Sequence, residues 1–240
     1  VELKANKIGQ MDLFGAPVAE TSITVKQPIL ETLQTPTRTA ENTPHTYHLV
    51  NTLTEIKNLA EQLSQQKYFC FDTETTGLDA NDCELVGLSF AIKPGEAWYI
   101  PMPQDQTESR TRLHAFKAVL ENKNILKVGQ NIKYDMLVLS WYDIQIQGEL
   151  FDTMLAHYLL NPDSRHGMDL LSETFLNYTP ISITSLIGAK GKKQGNMRDV
   201  ELEKIKEYAA EDSDITLQLK EVFEPLLKTV NADKLAKEVS

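Results

Sequence analysis

Two acidic side chains, Asp72 and Glu74, lie at the end of a largely apolar stretch that begins at Tyr68. A Thr-Thr-Gly turn follows them. The aromatic, apolar and β-branched residues of this stretch predict a β-strand. Because successive side chains of a strand point to opposite faces, Asp72 and Glu74 project on the same side, roughly 6.6 Å apart. An apolar strand is normally buried, and two buried carboxylates repel each other unless a cation lies between them. The alternative is a strand that runs out into solvent with both acids at its exposed end.

A third acid interrupts the apolar stripe of a long predicted helix that covers about residues 200–223, with Pro225 near its end. Residues of this stripe recur at steps of three and four: Ile205, Tyr208, Asp212, Ile215, Leu219 and Val222. Tyr208 and Asp212 are one turn apart, so their side chains meet on one face. An ionised carboxylate on a core-facing stripe costs free energy or shifts its pKa. The alternative is a helix rotated so that both residues lie at the solvent edge. The neighbouring Glu211 and Asp214 face elsewhere and are predicted to be ordinary surface acids.

A fourth acid, Asp135, lies on the apolar face of a helix predicted to begin at Asn131 and to end near Trp141. Asn131 is the predicted N-cap. An acid in the first turn also favours the helix dipole, which is the structural alternative for Asp135. Taken together, four acids from one strand and two helices could converge. Clusters of carboxylate oxygens suit Mg²⁺ or Mn²⁺, and four acids can hold two ions about 3.5–4 Å apart, as in phosphoryl transfer. Without a Cys and His ligand set, a dedicated zinc site is not expected.

Composition bounds the possible functions. The chain has 240 residues, 41% of them hydrophobic, a net charge of −10 and a pI of about 5.0. It lacks the basic footprint of a protein that wraps duplex nucleic acid, so any contact with nucleic acid must be local. Two cysteines, Cys70 and Cys83, are predicted to be reduced thiols of a cytoplasmic protein. No signal peptide or membrane-length apolar run is recognisable, so no membrane partner is expected.

The elements predict an α/β fold with a mixed sheet flanked by helices. The predicted strands lie at 48–50, 68–74, 84–92, 97–102 and 125–129. The predicted helices lie at 54–65, with Thr54 as its cap, and at 109–121, 131–141, 151–160, 168–176 and 200–223. Short connections favour an antiparallel meander of the second, third and fourth strands. The strand–helix alternation that follows favours helices on the sheet faces.

The first 45 residues differ from the rest, with prolines spread through a Thr-rich stretch that has no clear period. This composition predicts a disordered linker or arm. Within it, the segment QMDLF at 10–14 resembles the short peptide by which bacterial replication and repair proteins dock on the sliding clamp. The resemblance implies that Gln10, Leu13 and Phe14 contact such a clamp. The alternative is that Leu13 and Phe14 pack on the chain's own domain.

Three segments carry a family resemblance: DTE at 72–74, GQNIKYD at 129–135 and YAAED at 208–212. Together they resemble the three exonuclease motifs of the tyrosine branch of the DEDD superfamily. Residue by residue, they are most similar to the 3′→5′ proofreading exonuclease domain of bacterial DNA polymerase I. FDTML at 151–155 and RHGMDL at 165–170 resemble intervening helices of that domain. The resemblance covers residues 46–228. It implies a ribonuclease H-like fold, a bacterial cytoplasmic location, and a monomer excised from a polymerase, with residues 229–240 beginning the connection to the polymerase domain of the same parent chain.

By this resemblance, two ions of Mg²⁺ or Mn²⁺ are held by Asp72, Glu74, Asp135 and Asp212. Asp72, Glu74 and Asp212 would hold the first ion. Asp72 would bridge to the second, on which Asp135 acts through water. Tyr208 and Glu74 would orient the attacking water. The expected reaction removes nucleoside monophosphates one at a time from a single-stranded DNA 3′ end.

Further residues are candidates for DNA binding. In the family, the turn after the first motif grips the terminal nucleotide, which implies roles for Thr75 and Leu78, while Asn131 could contact a phosphate. A basic, Gly-rich loop supplies Lys190, Lys192 and Lys193 as candidates for backbone phosphates. The alternatives are turn packing for Leu78, helix capping for Asn131 and a solvated loop for the lysines. Asp152 is predicted to be a helix cap. Two other functions stay open: an RNA 3′ exonuclease of the ribonuclease D type, and a catalytically inactive structural module of a polymerase.

Overall fold

The computed structural model describes residues 36–191 and 193–239, without the side chain of Val239. Residues 1–35 of the arm predicted at 1–45, with the clamp-like segment, therefore lie outside the described residues, as does Lys192. The prediction was wrong for the end of the arm, because the Arg38 N–H donates to the Asn177 carbonyl at 3.2 Å and the Arg38 carbonyl accepts from the Thr179 N–H at 2.9 Å. Within these described ranges, six strands form one sheet: β1 (Thr46–Leu49), β2 (Tyr68–Thr75), β3 (Leu85–Lys93), β4 (Glu96–Pro101), β5 (Leu126–Gly129) and β6 (Leu150–Asp152). Their order across the sheet is β1-β4-β3-β2-β5-β6.

The sheet is mixed. Strands β2, β3 and β4 form the predicted antiparallel meander, whereas β1 pairs with β4, and β5 with both β2 and β6, in parallel. The helices are α1 (Leu53–Ser64), α2 (Gln106–His114), α3 (Lys117–Leu120), α4 (Ile132–Ser140), α5 (Thr153–Leu160), α6 (Met168–Leu176), α7 (Ile183–Ile187), α8 (Leu202–Thr229) and α9 (Asp233–Val239). The expected mixed sheet flanked by helices is confirmed.

Alternation along β2 assigns its side chains to two different cores. Phe69 and Phe71 are fully buried on the face that α1, α2, α3 and α4 cover. Cys70 points to the opposite face, where it packs with Ala210 and Leu217 of α8. Asp72 and Glu74 share the parity of Cys70, so the strand directs both acids to the side of α8.

Helix α8 is covered on two sides. One side lies against the sheet, and the other packs on α5, α6 and α9 through residues such as Ile215, Phe223 and Leu227. Every residue from 209 to 217 is therefore buried. In the part of the chain that the structure describes, no helix combines the length and the apolar character needed to cross a membrane.

Several predicted boundaries were wrong for physical reasons. The N-cap of α1 is Thr52, not Thr54, because its hydroxyl accepts from the Glu55 N–H while the Glu55 carboxylate accepts from the Thr52 N–H, a reciprocal capping box. The helix predicted at 109–121 is two helices that break at Ala115–Phe116. The helix predicted to open at Phe151 begins instead after β6, which is too short to show an alternating pattern.

The long helix also continues past its predicted end. Pro225 lies inside α8, which reaches Thr229. Proline removes one helical hydrogen bond. Leu227, beyond the proline on α8, is almost fully buried against the neighbouring helices. This packing holds the last turn.

Candidate active site

Three acids from two elements converge on one face of the sheet. One carboxylate oxygen from each of Asp72, Glu74 and Asp212 lies within 4.8 Å of the other two. Asp72 and Glu74 stand on β2 opposite Ser89 and Gly87 of β3, and Asp212 comes from the middle of α8. Glu74 and Asp212 are each only 7% exposed, so neither the strand end nor the helix stripe opens freely to solvent.

Asp135 approaches β2 from the opposite side. It comes from α4, is 3% exposed, and its Oδ1 accepts hydrogen bonds from the Thr73 N–H at 3.0 Å and from the Thr73 hydroxyl. Thr73 lies between the two strand acids in sequence, and its side chain points to the other face. Asp135 is outside the set of three close oxygens but lines the same cleft and raises the pKa of both Asp72 and Glu74.

Tyr208 lies one helical turn before Asp212 on α8 and lines the same cleft. The two groups are close enough that the tyrosine lowers the pKa of the Asp212 carboxyl while the carboxylate raises that of the phenol. Burial contributes most to the raised pKa of Tyr208, and Glu74 and Asp72 add to it. The phenol therefore stays protonated at neutral pH.

Burial and mutual repulsion disfavour the ionised acids. Burial, with Asp135 and Asp212, raises the pKa of Asp72 well above its ordinary value. Burial and Asp72 do the same for Glu74, and burial, Glu74 and Glu211 for Asp212. Burial raises the pKa of Asp135 to about 7, against the opposing effect of its bonds from Thr73.

The donor set fits a hard divalent cation. Among the described residues, no lysine, arginine or histidine forms an ion pair with Asp72, Glu74 or Asp212. The Oδ1 atom of Asp212 is buried and has no hydrogen-bond partner in the described part of the chain. Buried carboxylates without a partner are costly, and an all-oxygen set of this kind is what Mg²⁺ or Mn²⁺ prefers.

The acids lie at the base of a cleft of about 300 Å³. Its walls come from the turn after β2, the start of α4, α7 and the segment at 194–197. The structure brings Thr75, Leu78 and Asn131 into this lining. Leu78 is 84% exposed, so it is not packed into the core. Lys190 and Lys193 are exposed on the loop after α7 and do not line the cleft.

The entry to α4 is capped differently from the prediction. Asn131 occupies the N-cap position, but its side chain makes no capping bond and its backbone is left-handed, with φ of 56°. The carboxylate of Asp152 accepts from the N–H groups of Asn131 and Ile132 at 3.1 and 3.0 Å. It also accepts from Met154 at 2.8 Å, which confirms Asp152 as a helix cap, although one that serves two helices.

The prediction for the two neighbouring acids on α8 was wrong. Glu211 is fully buried and accepts from the Tyr178 hydroxyl and, at 2.6 Å, from the Ile181 N–H. Asp214 is 3% exposed and accepts from the Tyr47 hydroxyl at 2.8 Å and from the Gly95 N–H at 2.9 Å. The reason is that α8 is covered on two sides, so residues outside the apolar stripe are buried too.

Sequence reasoning missed other residues around the cleft. Thr73 was not among the predicted site residues, although its hydroxyl donates to the Asp135 carboxylate. Gln130 lines the cleft and bridges two other segments, donating to the His166 carbonyl and accepting from the Thr153 hydroxyl. The signal for Thr73 was available, because a threonine between two acids on a buried strand needs a partner for its hydroxyl.

Comparison with known proteins agrees with this geometry. A family model described as 3′–5′ exonuclease matches residues 47–228. DNA polymerase I of Pseudomonas aeruginosa is 37% identical over 179 residues, which cover 71% of this chain and 20% of that protein. DNA polymerase I of Rhizobium leguminosarum is 40% identical over 181 residues, which cover 65% of this chain and 18% of that protein. The chain thus spans about a fifth of the length of these relatives.

Solved structures support the fold. Brucella melitensis NrnC superposes with a TM-score of 0.62 at 22% identity, over 82% of this chain and 87% of that one. The catalytic core of RRP6 from Trypanosoma brucei gives a TM-score of 0.66 at 18% identity, over 87% of this chain and 54% of that one. The predicted ribonuclease H-like fold is confirmed.

The fold and the acidic cleft define a nuclease domain. The chain belongs to the 3′–5′ exonuclease family, in the form that bacterial DNA polymerase I relatives carry.

Proposed function

We propose that this chain hydrolyses phosphodiesters at single-stranded DNA 3′ ends with two divalent cations, releasing nucleoside monophosphates. The observation that carries the proposal is the buried group of Asp72, Glu74 and Asp212, whose oxygens lie within 4.8 Å of one another without a cationic side chain among the described residues. Buried, mutually repelling carboxylates are stabilised by a bound cation, and phosphodiester hydrolysis is a reaction that such a site serves.

The acids divide into two ligand groups. Asp72, Glu74 and Asp212 would hold one ion, and Asp72 with Asp135 would serve a second, Asp135 acting through water. Thr73 fixes the Asp135 carboxylate by two hydrogen bonds, which supports a separate role for that side chain. When bound, Mg²⁺ or Mn²⁺ supplies neutralisation of charge on the attacking and leaving oxygens.

Tyr208 and Glu74 would orient the attacking water. The raised pKa of the Tyr208 phenol keeps its proton in place, so the hydroxyl can donate a hydrogen bond but cannot serve as a base at neutral pH. Glu74, on strand β2, offers an acceptor oxygen in the same cleft as the Tyr208 hydroxyl. A donor and an acceptor on two rigid elements define one orientation for the water between them.

The substrate strand would contact the cleft walls. Leu78 would pack against the terminal base, since it is an exposed apolar side chain on the cleft wall. Thr75 and Asn131 would contact the terminal nucleotide and a phosphate. Lys190 and Lys193 would reach backbone phosphates farther along the strand, as would Lys192, which lies outside the described residues.

DNA is favoured over RNA as the substrate by the relatives, which are DNA polymerases at 37–40% identity. The competing RNA reading draws on fold neighbours such as NrnC, one structure of which is described as bound to pGG. The inactive-module reading is disfavoured because all four acids and Tyr208 are present and line one cleft.

The deciding experiment compares the wild-type chain with Asp72→Ala on a 3′-labelled single strand in Mg²⁺, in Mn²⁺ and in excess chelator. We expect degradation from the 3′ end with either metal, and none in chelator or in the variant. Asp82→Ala is the matched control, because Asp82 is an exposed aspartate on the same connection after β2. Robust cleavage by Asp72→Ala or in chelator would falsify the metal mechanism. A parallel RNA strand that is degraded faster than DNA would overturn the substrate assignment.

The wider setting follows from the same proposal. Residues 46–228 would form the exonuclease domain and act as a monomer. Residues 229–240 would begin the connection to a polymerase domain of the same parent chain. In the arm, Gln10, Leu13 and Phe14 would bind the sliding clamp. A peptide of residues 10–14 should bind purified clamp, with loss of binding when Leu13 and Phe14 become Ala. Absence of binding by the unchanged peptide at high micromolar concentration would remove this partner.

A further inference from the structure

The connection between β2 and β3 forms one wall of the cleft. Thr75, Thr76, Gly77 and Leu78 line the cleft, and Leu78 projects outward with 84% of its surface exposed. At its base the connection is closed by a bond from the Thr76 N–H to the Glu84 carbonyl at 3.0 Å. The sheet ladder thus ends before Leu78, and the position of this side chain depends on contacts from elsewhere.

Two of those contacts come from aromatic side chains at the two ends of α4, and Asn196 adds a hydrogen bond to the Thr76 carbonyl at 3.3 Å. The Tyr134 hydroxyl donates to the Gly77 carbonyl at 2.7 Å and shares a hydrogen bond with the Thr75 hydroxyl at 2.8 Å. The indole N–H of Trp141, which ends the helix with helical dihedral angles, donates to the Ala80 carbonyl at 3.1 Å. Residues seven apart lie on the same face of a helix. The two donors therefore hold the turn on either side of Leu78.

Packing alone does not account for Trp141. The side chain is 55% exposed, which is unusual for a residue kept only for its apolar surface. Its neighbour Tyr142 provides the contrast: it is 5% exposed, and its hydroxyl accepts from the N–H of Leu85, inside β3 rather than in the turn. Tyr142 stabilises the core, whereas the polar atom of Trp141 reaches only as far as the turn.

We propose that Trp141, together with Tyr134, is a positioning residue that pre-orders the turn so that Leu78 meets the 3′-terminal nucleotide in a fixed place. The proposal rests on the proposed function of the cleft. A turn that is ordered before binding loses less conformational entropy when the substrate arrives, so it binds more tightly. Because α4 also carries Asp135, one helix would set both the turn and one of the acids.

The test uses the full chain with Trp141→Phe, which keeps an aromatic ring but removes the N–H donor. We expect the KM for a 3′-labelled single strand in Mg²⁺ to rise by about 3- to 10-fold, the size expected for one hydrogen bond, with kcat within about twofold. Amide hydrogen exchange in residues 76–82 should become faster, while exchange in α8 and the Tm stay unchanged.

Two controls separate this role from general damage. Leu137→Ala, on the same helix and 39% exposed, should leave KM and exchange in the turn unchanged. Tyr142→Phe should lower the Tm without raising KM, since it leaves the Leu85 N–H without its partner.

The outcomes are distinguishable. If the wild-type chain cleaves DNA and Trp141→Phe shows wild-type KM and wild-type exchange in the turn, the positioning role is overturned. A fall in kcat at constant KM would also overturn it. If the wild-type chain cleaves no DNA, the proposed function fails and the positioning role fails with it. Faster exchange of the turn in Trp141→Phe would then still show that the indole orders it.

Discussion

Two kinds of buried carboxylate stand side by side on α8. Glu211 and Asp214 receive hydrogen bonds from tyrosine hydroxyls and backbone N–H groups. Asp212, between them, keeps a buried oxygen, Oδ1, that has no hydrogen-bond partner in the described residues. All three are buried acids within one turn of the same helix. The difference shows that burial alone does not mark a functional acid. A satisfied acid supports the fold, and an unsatisfied one is available to a ligand.

Neutralising the unsatisfied acid Asp212 should affect the rate of cleavage and spare the stability of the fold. Asp212→Asn keeps the shape of the side chain but removes a charged ligand. We expect the rate on a 3′-labelled single strand in Mg²⁺ to fall by at least about 10²-fold, the scale seen when one group that stabilises developing charge is lost. The free energy of unfolding in chelator should not fall, because the substitution relieves repulsion with Glu74. A large loss of stability would instead show that Asp212 supports the fold, as Glu211 and Asp214 do.

A change of pH tests the same repulsion without a substitution. The folded-state pKa of Asp135 is raised to about 7, and those of Asp72, Glu74 and Asp212 are raised as well. The folded state therefore holds protons that the unfolded state has released above about pH 4. Without metal, the free energy of unfolding should fall as pH rises from about 4 through about 7, by a few kcal/mol in total. Mg²⁺ should reverse the loss at pH 8, and urea titrations with and without chelator measure both. Stability that rises over this range would contradict the assignment.

Removal of a satisfied acid should lower stability and leave the rate unchanged. Asp214→Ala leaves the Tyr47 hydroxyl and the Gly95 N–H without their acceptor. The free energy of unfolding should fall by about 3 kcal/mol, as is typical when hydrogen bonds to a buried charge are removed. The kcat of the protein that remains folded should stay at the wild-type value. Urea unfolding measures the loss of stability, and an assay on the folded fraction measures kcat. A loss of kcat without a loss of stability would contradict the structural role of Asp214.

Local patterns were enough to predict the acids of the cleft. Alternation along β2 placed Asp72 and Glu74 on one face, and helical periodicity placed Tyr208 beside Asp212. Both rules depend on neighbours within a few residues, which the sequence displays directly.

The errors occurred where contacts with distant parts of the chain determine burial, strand pairing or the end of a helix. Glu211 and Asp214 were predicted to be exposed because a stripe implies one buried face, whereas both are covered outside that stripe. Tyr178 and Ile181, which follow α6, bond to Glu211, and Tyr47 and Gly95 of the sheet layer bond to Asp214. Strand β6 has only three residues, and its pairing with β5 identifies it as a strand. Pro225 does not end α8 because packing beyond it outweighs a lost backbone bond.

The carboxylate of Asp152 has a consequence for how this cleft could be moved to another scaffold. It caps the first N–H groups of α4 and of α5 together, so it ties the helix that carries Asp135 to the end of β6. Asn131, held in a left-handed conformation, depends on that tie. A transplant that copied only the metal-facing acids and Tyr208 would leave the entry to α4 unanchored. The smallest portable unit of this site therefore includes a residue that never faces the substrate.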